Sequence, residues 1–209
     1  MKDMHTARAL SEMGGPTTRE RILNNAKTLF AAGGYENTST NSIARAAKSS
    51  ESQIIKHFGG KEGLLEAIFE QGWSGIAEAL TALEYLSSPA AKLQSLVGLI
   101  LARLQDDHEL KELFLLEGRR IRKEGQLVLM TGGFLSLVKG IDDLLLQMRN
   151  NGQLRSDLHI EGIRSALMGM MEGLLRDRML ATRSNYPASY NEAEIRNLFL
   201  HVLQCFTQG

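Results

Sequence analysis

Ser50, Glu51, Ser52, Gln53, Lys56 and His57 fall within eight residues, and each carries a charged or hydrogen-bonding side chain. On one exposed helix face, such groups can meet base edges in the major groove of a duplex. Gln53 can bond an adenine edge in bidentate fashion. Three short hydroxyl residues, Thr38, Ser39 and Thr40, stand ahead of this run, where a helix N-terminus can meet a phosphate. Arg45, Lys48, Lys56 and Lys61 supply the flanking cations that phosphate binding needs. The chemistry predicted is the reading of double-stranded DNA. The same pattern also fits an αα-hairpin whose polar face meets only water.

Three helices must position these groups. Thr17 or Thr18 reads as an N-cap, with Glu20 in the first turn. Ile22, Leu23, Ala26, Leu29 and Phe30 then recur at helical spacing as far as Gly33-Gly34, a C-terminal signal. Ser39 or Thr40 caps a second short helix to about Ala46. A third runs from about Ser50 to Phe58, with Ile54 and Phe58 inward, and Gly59-Gly60 ends it. In a helix-turn-helix the second of two such helices lies in the groove while the first crosses the backbone.

Thr18-Arg19-Glu20-Arg21-Ile22-Leu23, Ala26, Leu29-Phe30, Gly34-Tyr35, Thr38-Ser39, Ile43-Ala44, Ala47, His57-Phe58, Lys61-Glu62 and Leu64-Leu65 keep their spacing without a gap. This segment resembles the N-terminal signature of TetR-type (TetR/AcrR, tetracycline-repressor-like) transcriptional regulators. The resemblance implies a bacterial homodimer on a palindromic operator, with a small molecule in the C-terminal domain releasing the DNA. It implies phosphate contacts at Thr38, Ser39 and Lys61, and groove contacts from the helix around Ser50 to His57.

The chain departs from the family pattern in the turn and on the reading helix. Lys48 stands where the family usually has Gly, so the turn is expected to differ in shape, because a side chain disfavours positive φ. Ser49 fills the next, usually apolar, position and should weaken helix packing. Ile55 replaces a Tyr that often holds a phosphate, and can instead touch a thymine methyl. Glu51 replaces a residue that is often basic; it can accept from a cytosine amine or repel phosphate.

Beyond the head, the pattern predicts an all-α body and about nine helices in total. A tail over 1–16, a head over 17–62 and a ligand-binding and dimerisation domain over 63–209 are expected. Leu65, Phe69, Trp73, Ile76, Leu80 and Leu83 form the stripe of a long fourth helix, which leaves Lys61 beside the DNA and Trp73 inside the body. Ser87-Ser88-Pro89 caps a fifth helix, and Asp106-Asp107 opens a sixth to about Lys123. A seventh over about 126–150 contains Gly132-Gly133. Asp157 caps an eighth over about 159–182, and a ninth spans about 192–206.

Gly162, Ala166, Gly169 and Gly173 make a small-residue stripe along helix eight, and helix nine is apolar over a wide arc that includes Leu198 and Val202. Small residues let backbones approach, so both helices are expected to build a four-helix dimer contact. The alternative is that they fill the monomer core. For a ligand site the candidates are Glu117, Met130, Phe134, Met168 and Met171. Methionines suit adaptable apolar cavities and ordinary cores alike. Gly132-Gly133 can kink its helix and open a cavity beside Phe134. Glu117 can orient a ligand or reach solvent at the rim. Arg119, Arg120, Arg122 and Lys123 can bind an anion or complement the dipole of helix six.

The chain has 209 residues, 43% hydrophobic and 23% charged, with zero formal net charge. Residues 1–62 carry nine Lys/Arg and six Asp/Glu, whereas the remainder is acidic in excess. A basic head on an acidic body suits a nucleic-acid partner. The single cysteine, Cys205, cannot make an internal disulfide, so a reducing cytoplasm is the expected setting. No signal peptide or membrane span is predicted. No cofactor or metal is expected: the five histidines lack partners at ligand spacing, and no nucleophile or phosphate-loop motif occurs. The predicted protein is a regulator and not an enzyme, with operator DNA, a second copy of itself and a small-molecule effector as partners. The alternative is a helical small-molecule-binding protein whose DNA-reading head has degenerated.

Overall fold

The computed structural model describes residues 15–121 and 125–207. The expected tail lies almost wholly outside the described residues. Among them, the secondary structure is nine α-helices, one short 3-10 turn and two isolated bridges, with no strand. The chain divides into two compact units between Ile68 and Phe69. That division lies inside a helix, six residues beyond the expected 62/63 boundary.

The first unit, the head, contains α1 (Thr18–Gly33), α2 (Thr40–Ala46), α3 (Glu51–Phe58) and the start of α4 (Lys61–Ala82). Thr17 starts α1 with a capping box: its hydroxyl accepts the Glu20 N–H, and Glu20 accepts the Thr17 N–H at 2.7 Å. Such a cap contributes about 1 kcal/mol. That backbone bond, reinforced by the Thr17 hydroxyl, holds the Glu20 carboxyl below its ordinary range. The core of the head is Ile22, Leu23, Ala26, Phe30, Ile43, Ile54, Leu64 and Leu65, all buried. Their spacing is one apolar stripe per helix, which fixes the faces left outward.

The second unit, the body, holds the rest of α4, the 3-10 turn Leu83–Tyr85, α5 (Pro89–Asp106), α6 (His108–Glu117), α7 (Gly132–Asn150), α8 (Ile160–Arg183) and α9 (Glu192–Cys205). Ser88 caps α5 with Pro89 at its first position, and the Asp107 side chain caps α6. Phe69, Trp73, Leu96, Leu101, Leu145 and Phe199 are among the buried side chains.

Three expectations are corrected here. Helix six ends at Glu117 and α7 begins at Gly132, so the described residues between them, 118–121 and 125–131, extend neither helix. Gly132-Gly133 therefore opens α7 behind the N-cap Thr131 and does not kink it. A Cβ on Gly133 would lie 2.6 Å from the Ser74 backbone nitrogen, so close approach of α4 demands glycine there. Asp157 does not cap α8: the N-cap is His159, without a side-chain bond, and Asp157 pairs with Arg155 at 2.7 Å. Asp157 stands two residues ahead of that N-cap, and its carboxylate accepts from the Arg155 guanidinium instead.

Candidate nucleic-acid interface and body cavity

The turn between α2 and α3 is a Schellman motif. The Ser49 N–H bonds the Ala44 carbonyl at 2.8 Å and the Lys48 N–H bonds the Arg45 carbonyl at 3.1 Å. Lys48 sits at φ 49°, the only non-glycine residue at positive φ among those described. The turn thus keeps the left-handed form, and its expected change of shape does not occur. The hydrogen bonds and the packing of α2 on α3 hold Lys48 where glycine would sit without strain. The Schellman frame also puts Ser49 opposite Ala44, in a slot that suits an apolar contact. The Ser49 hydroxyl is buried there without a partner among the described residues.

Ser50 caps α3, its hydroxyl 2.8 Å from that of Ser52. Ile54 is fully buried, and this turns Ser52, Ile55, Lys56 and His57 to solvent, with Gln53 partly exposed. Ile55 is 64% exposed, an unusual place for a large aliphatic side chain. Ser39 caps α2 and Arg45 is exposed, 3.3 Å from the Asn41 side-chain oxygen. Lys61 donates to the Glu36 carbonyl at 3.3 Å and lies 4.3 Å from the Tyr35 ring centre. The head thus brings hydroxyls, cations and the outward face of α3 together.

Two members stand apart. Thr38 is buried at 6% exposure, its hydroxyl directed at the Leu29 and Gly34 carbonyls at 3.1 and 2.9 Å. It ties down the end of α1 and does not reach the outer surface, contrary to its expected phosphate contact. Glu51 does face outward, but both its oxygens are engaged: one accepts from the Thr40 hydroxyl, the other from the Asn41 amide at 3.2 Å. These bonds, Thr40 first, hold its carboxyl below the usual range. Asn41, which bridges Glu51 and Arg45, was not among the sequence candidates. A lone Asn at a helix start gives no signal of a cross-helix partner.

In the body, a cavity of about 50 Å³ is walled by apolar side chains, among them Trp73, Leu104, Phe114, Phe134, Met168, Met171 and Phe199. Of the five predicted ligand residues, Phe134, Met168 and Met171 line it. Glu117 does not: its carboxylate takes the Arg120 guanidinium at 2.8 Å. Met130 is 44% exposed, just ahead of α7. The carboxylate in the wall is Glu172, paired with Arg119 at 2.9 Å. Sequence reasoning missed it because Glu172 interrupts an apolar stretch that reads equally well as a solvent-facing position. On α8, Gly162, Ala166 and Gly169 are exposed and Gly173 is half-buried; on α9, Leu198 is 43% exposed and Val202 half-buried.

A family model described as "Bacterial regulatory proteins, tetR family" matches residues 22–68, the span of α1 to α3 and the start of α4. The head is thus similar in sequence to that family. Two curated relatives come from Bacillus subtilis (strain 168). "Uncharacterized HTH-type transcriptional regulator YvkB" is 43% identical over 54 residues, which is 26% of this chain and 29% of that protein. "Probable HTH-type transcriptional regulator YttP" is 30% identical over 98 residues, 46% of this chain and 47% of that one. The chain thus matches less than half the length of either relative. The TetR-type fold extends further. The crystal structure of the regulator FadR from Bacillus subtilis, in complex with stearoyl-CoA, superposes with a TM-score of 0.77 over 88% of this chain and 96% of its own, at 19% identity. The TetR-type head is thus shared in sequence, and the body in architecture alone.

Proposed function

We propose that this protein is a dimeric transcriptional regulator that holds a palindromic operator and releases it when a small molecule fills the body cavity. The observation that carries the reading is the α3 face: Ile54 is buried in a TetR-family head, and Ser52, Lys56 and His57 are turned outward beside Gln53. That face has donors and acceptors for base edges, with Lys48, Lys56 and Arg45 around it for phosphates.

The dimer reading is supported by the exposed small residues Gly162, Ala166 and Gly169 and by Leu198, an apolar surface that one copy leaves uncovered. The effector reading is supported by the apolar cavity. Helix α4 is continuous from Lys61 to Ala82 and carries Trp73 in the cavity wall, so a shift of that helix would reach the head. A ligand does this only if it favours the state that does not fit DNA.

Selection of genomic fragments on the purified protein, with binding of the enriched fragment measured over a range of salt, tests the reading. A palindromic site with a steep salt dependence is the expected result. Equal, weak binding to all fragments overturns it in favour of a small-molecule-binding protein with a degenerate head. The Glu51 carboxylate on the Thr40 and Asn41 side chains favours that second reading. The two also part at Lys56→Ala, which should weaken a specific complex but has none to weaken in the second reading.

A further inference from the structure

Trp73 is the one tryptophan of the chain, 2% exposed, and its indole N–H has no hydrogen-bond partner among the described residues. It stands in the wall of the body cavity. Phe114 and Phe134 meet its ring edge-on, with centroids 5.0 and 5.6 Å away, and neither offers an acceptor. A buried donor left unpaired is costly, so it favours whatever brings an acceptor to it.

The wall narrows what that acceptor can belong to. Its other strongly polar side chain is Glu172, which Arg119 already holds at 2.9 Å. The carboxylate is neutralised, so the cavity makes no demand for a cation. A carboxylate ligand would be stripped of water against apolar side chains, with one indole N–H in return. Water is also a poor match: about 50 Å³ has room for it, but an ordered water needs two to four polar partners. What remains is a neutral oxygen on an otherwise apolar body. Met168 and Met171 can change rotamer to admit more of such a body than the resting volume holds.

We propose that the cavity takes an uncharged, largely apolar molecule bearing a single accepting oxygen of the carbonyl or hydroxyl kind, and that the Trp73 indole N–H selects that oxygen. This rests on the reading of the cavity as the effector site. Trp73 then discriminates between ligands of equal shape, because an isostere without the oxygen leaves the donor unpaired.

The test uses the full-length protein and two probes of nearly equal shape, 2-octanone and 2-methyl-1-octene, which differ by C=O against C=CH2. With one tryptophan, the ¹⁵N-labelled protein has a single indole N–H resonance. The ketone is expected to bind about tenfold tighter and to move the indole proton downfield, with no such move for the alkene. Trp73→Phe should abolish the preference and keep alkene binding; the wild-type resonance reads the contact even if that variant does not fold. Equal affinities with no downfield shift would overturn the role of Trp73 and leave the cavity as a ligand site. If neither probe perturbs the methyl resonances of Met168 and Met171, both the inference and the effector reading fall.

Discussion

Glu70 of α4 accepts the backbone N–H of Gly133, the second residue of α7, at 2.8 Å. Its other oxygen accepts the Ser74 hydroxyl at 2.7 Å. Thr131 caps the same helix, taking the Phe134 N–H at 3.3 Å. Two of the N–H groups that every helix start leaves unpaired are therefore satisfied by side chains, one of them charged and favourably placed against the helix dipole.

Gly133→Ala should destabilise the protein by about 2 kcal/mol, because the new Cβ meets the Ser74 backbone at 2.6 Å and must push α4 and α7 apart. Denaturant unfolding reads the loss. Gly132→Ala has open space by comparison, its nearest contact being the Glu70 carboxylate at 3.7 Å, and should be far milder.

Glu70→Gln should cost stability at neutral pH and little in acid. The Gly133 N–H, then the Ser74 hydroxyl, hold the Glu70 carboxyl below its ordinary range in the folded protein. A depressed carboxyl stabilises above its unfolded pKa, about 4.3, and loses that contribution as pH falls through the folded value. The difference in melting temperature between wild type and variant should therefore shrink steadily below about pH 4.3. A constant difference down to acid unfolding would count against the carboxylate's role.

Lys48→Gly should raise stability by about 0.5 kcal/mol, since it removes a side chain from positive φ but loosens the unfolded chain. Lys48→Ala should gain nothing. If Lys48 meets a phosphate, both variants should also lower the salt slope of DNA binding by about one. Thermal melts and salt titrations separate the two effects.

Glu51→Gln should strengthen binding to DNA of any sequence roughly severalfold at low salt, by removing an anion from the face that meets phosphates. The amide oxygen can keep the Asn41 bond while the amide N–H donates to the Thr40 hydroxyl oxygen in place of the other, so stability should barely change. Unchanged affinity at low salt would mean that Glu51 does not lie near the phosphates.

The head was legible because its information is local. Ile22, Ala26, Phe30 and Ile54 recur at helical period, Gly34 and Gly59 mark ends, and Ser39 and Ser50 cap starts, so one strip of sequence places each face. Thr38 was misplaced because a hydroxyl before a helix reads the same whether it faces a phosphate or the Leu29 carbonyl, nine residues back. The extent of helix six was misread because Arg119 to Lys123 are good helix formers and nothing in that stretch marks a stop.

The amino-acid sequence by itself determined the helical class and the outward face of α3, since both follow from spacing and caps within a few residues. The tertiary structure alone decided that Glu70 caps α7 across 63 residues, that Glu51 bonds to α2, and that Glu172 rather than Glu117 lines the cavity together with Trp73, whose indole N–H has no partner among the described residues. These relationships join residues on different helices. Helical period fixes which way a side chain faces, but only packing decides what it meets.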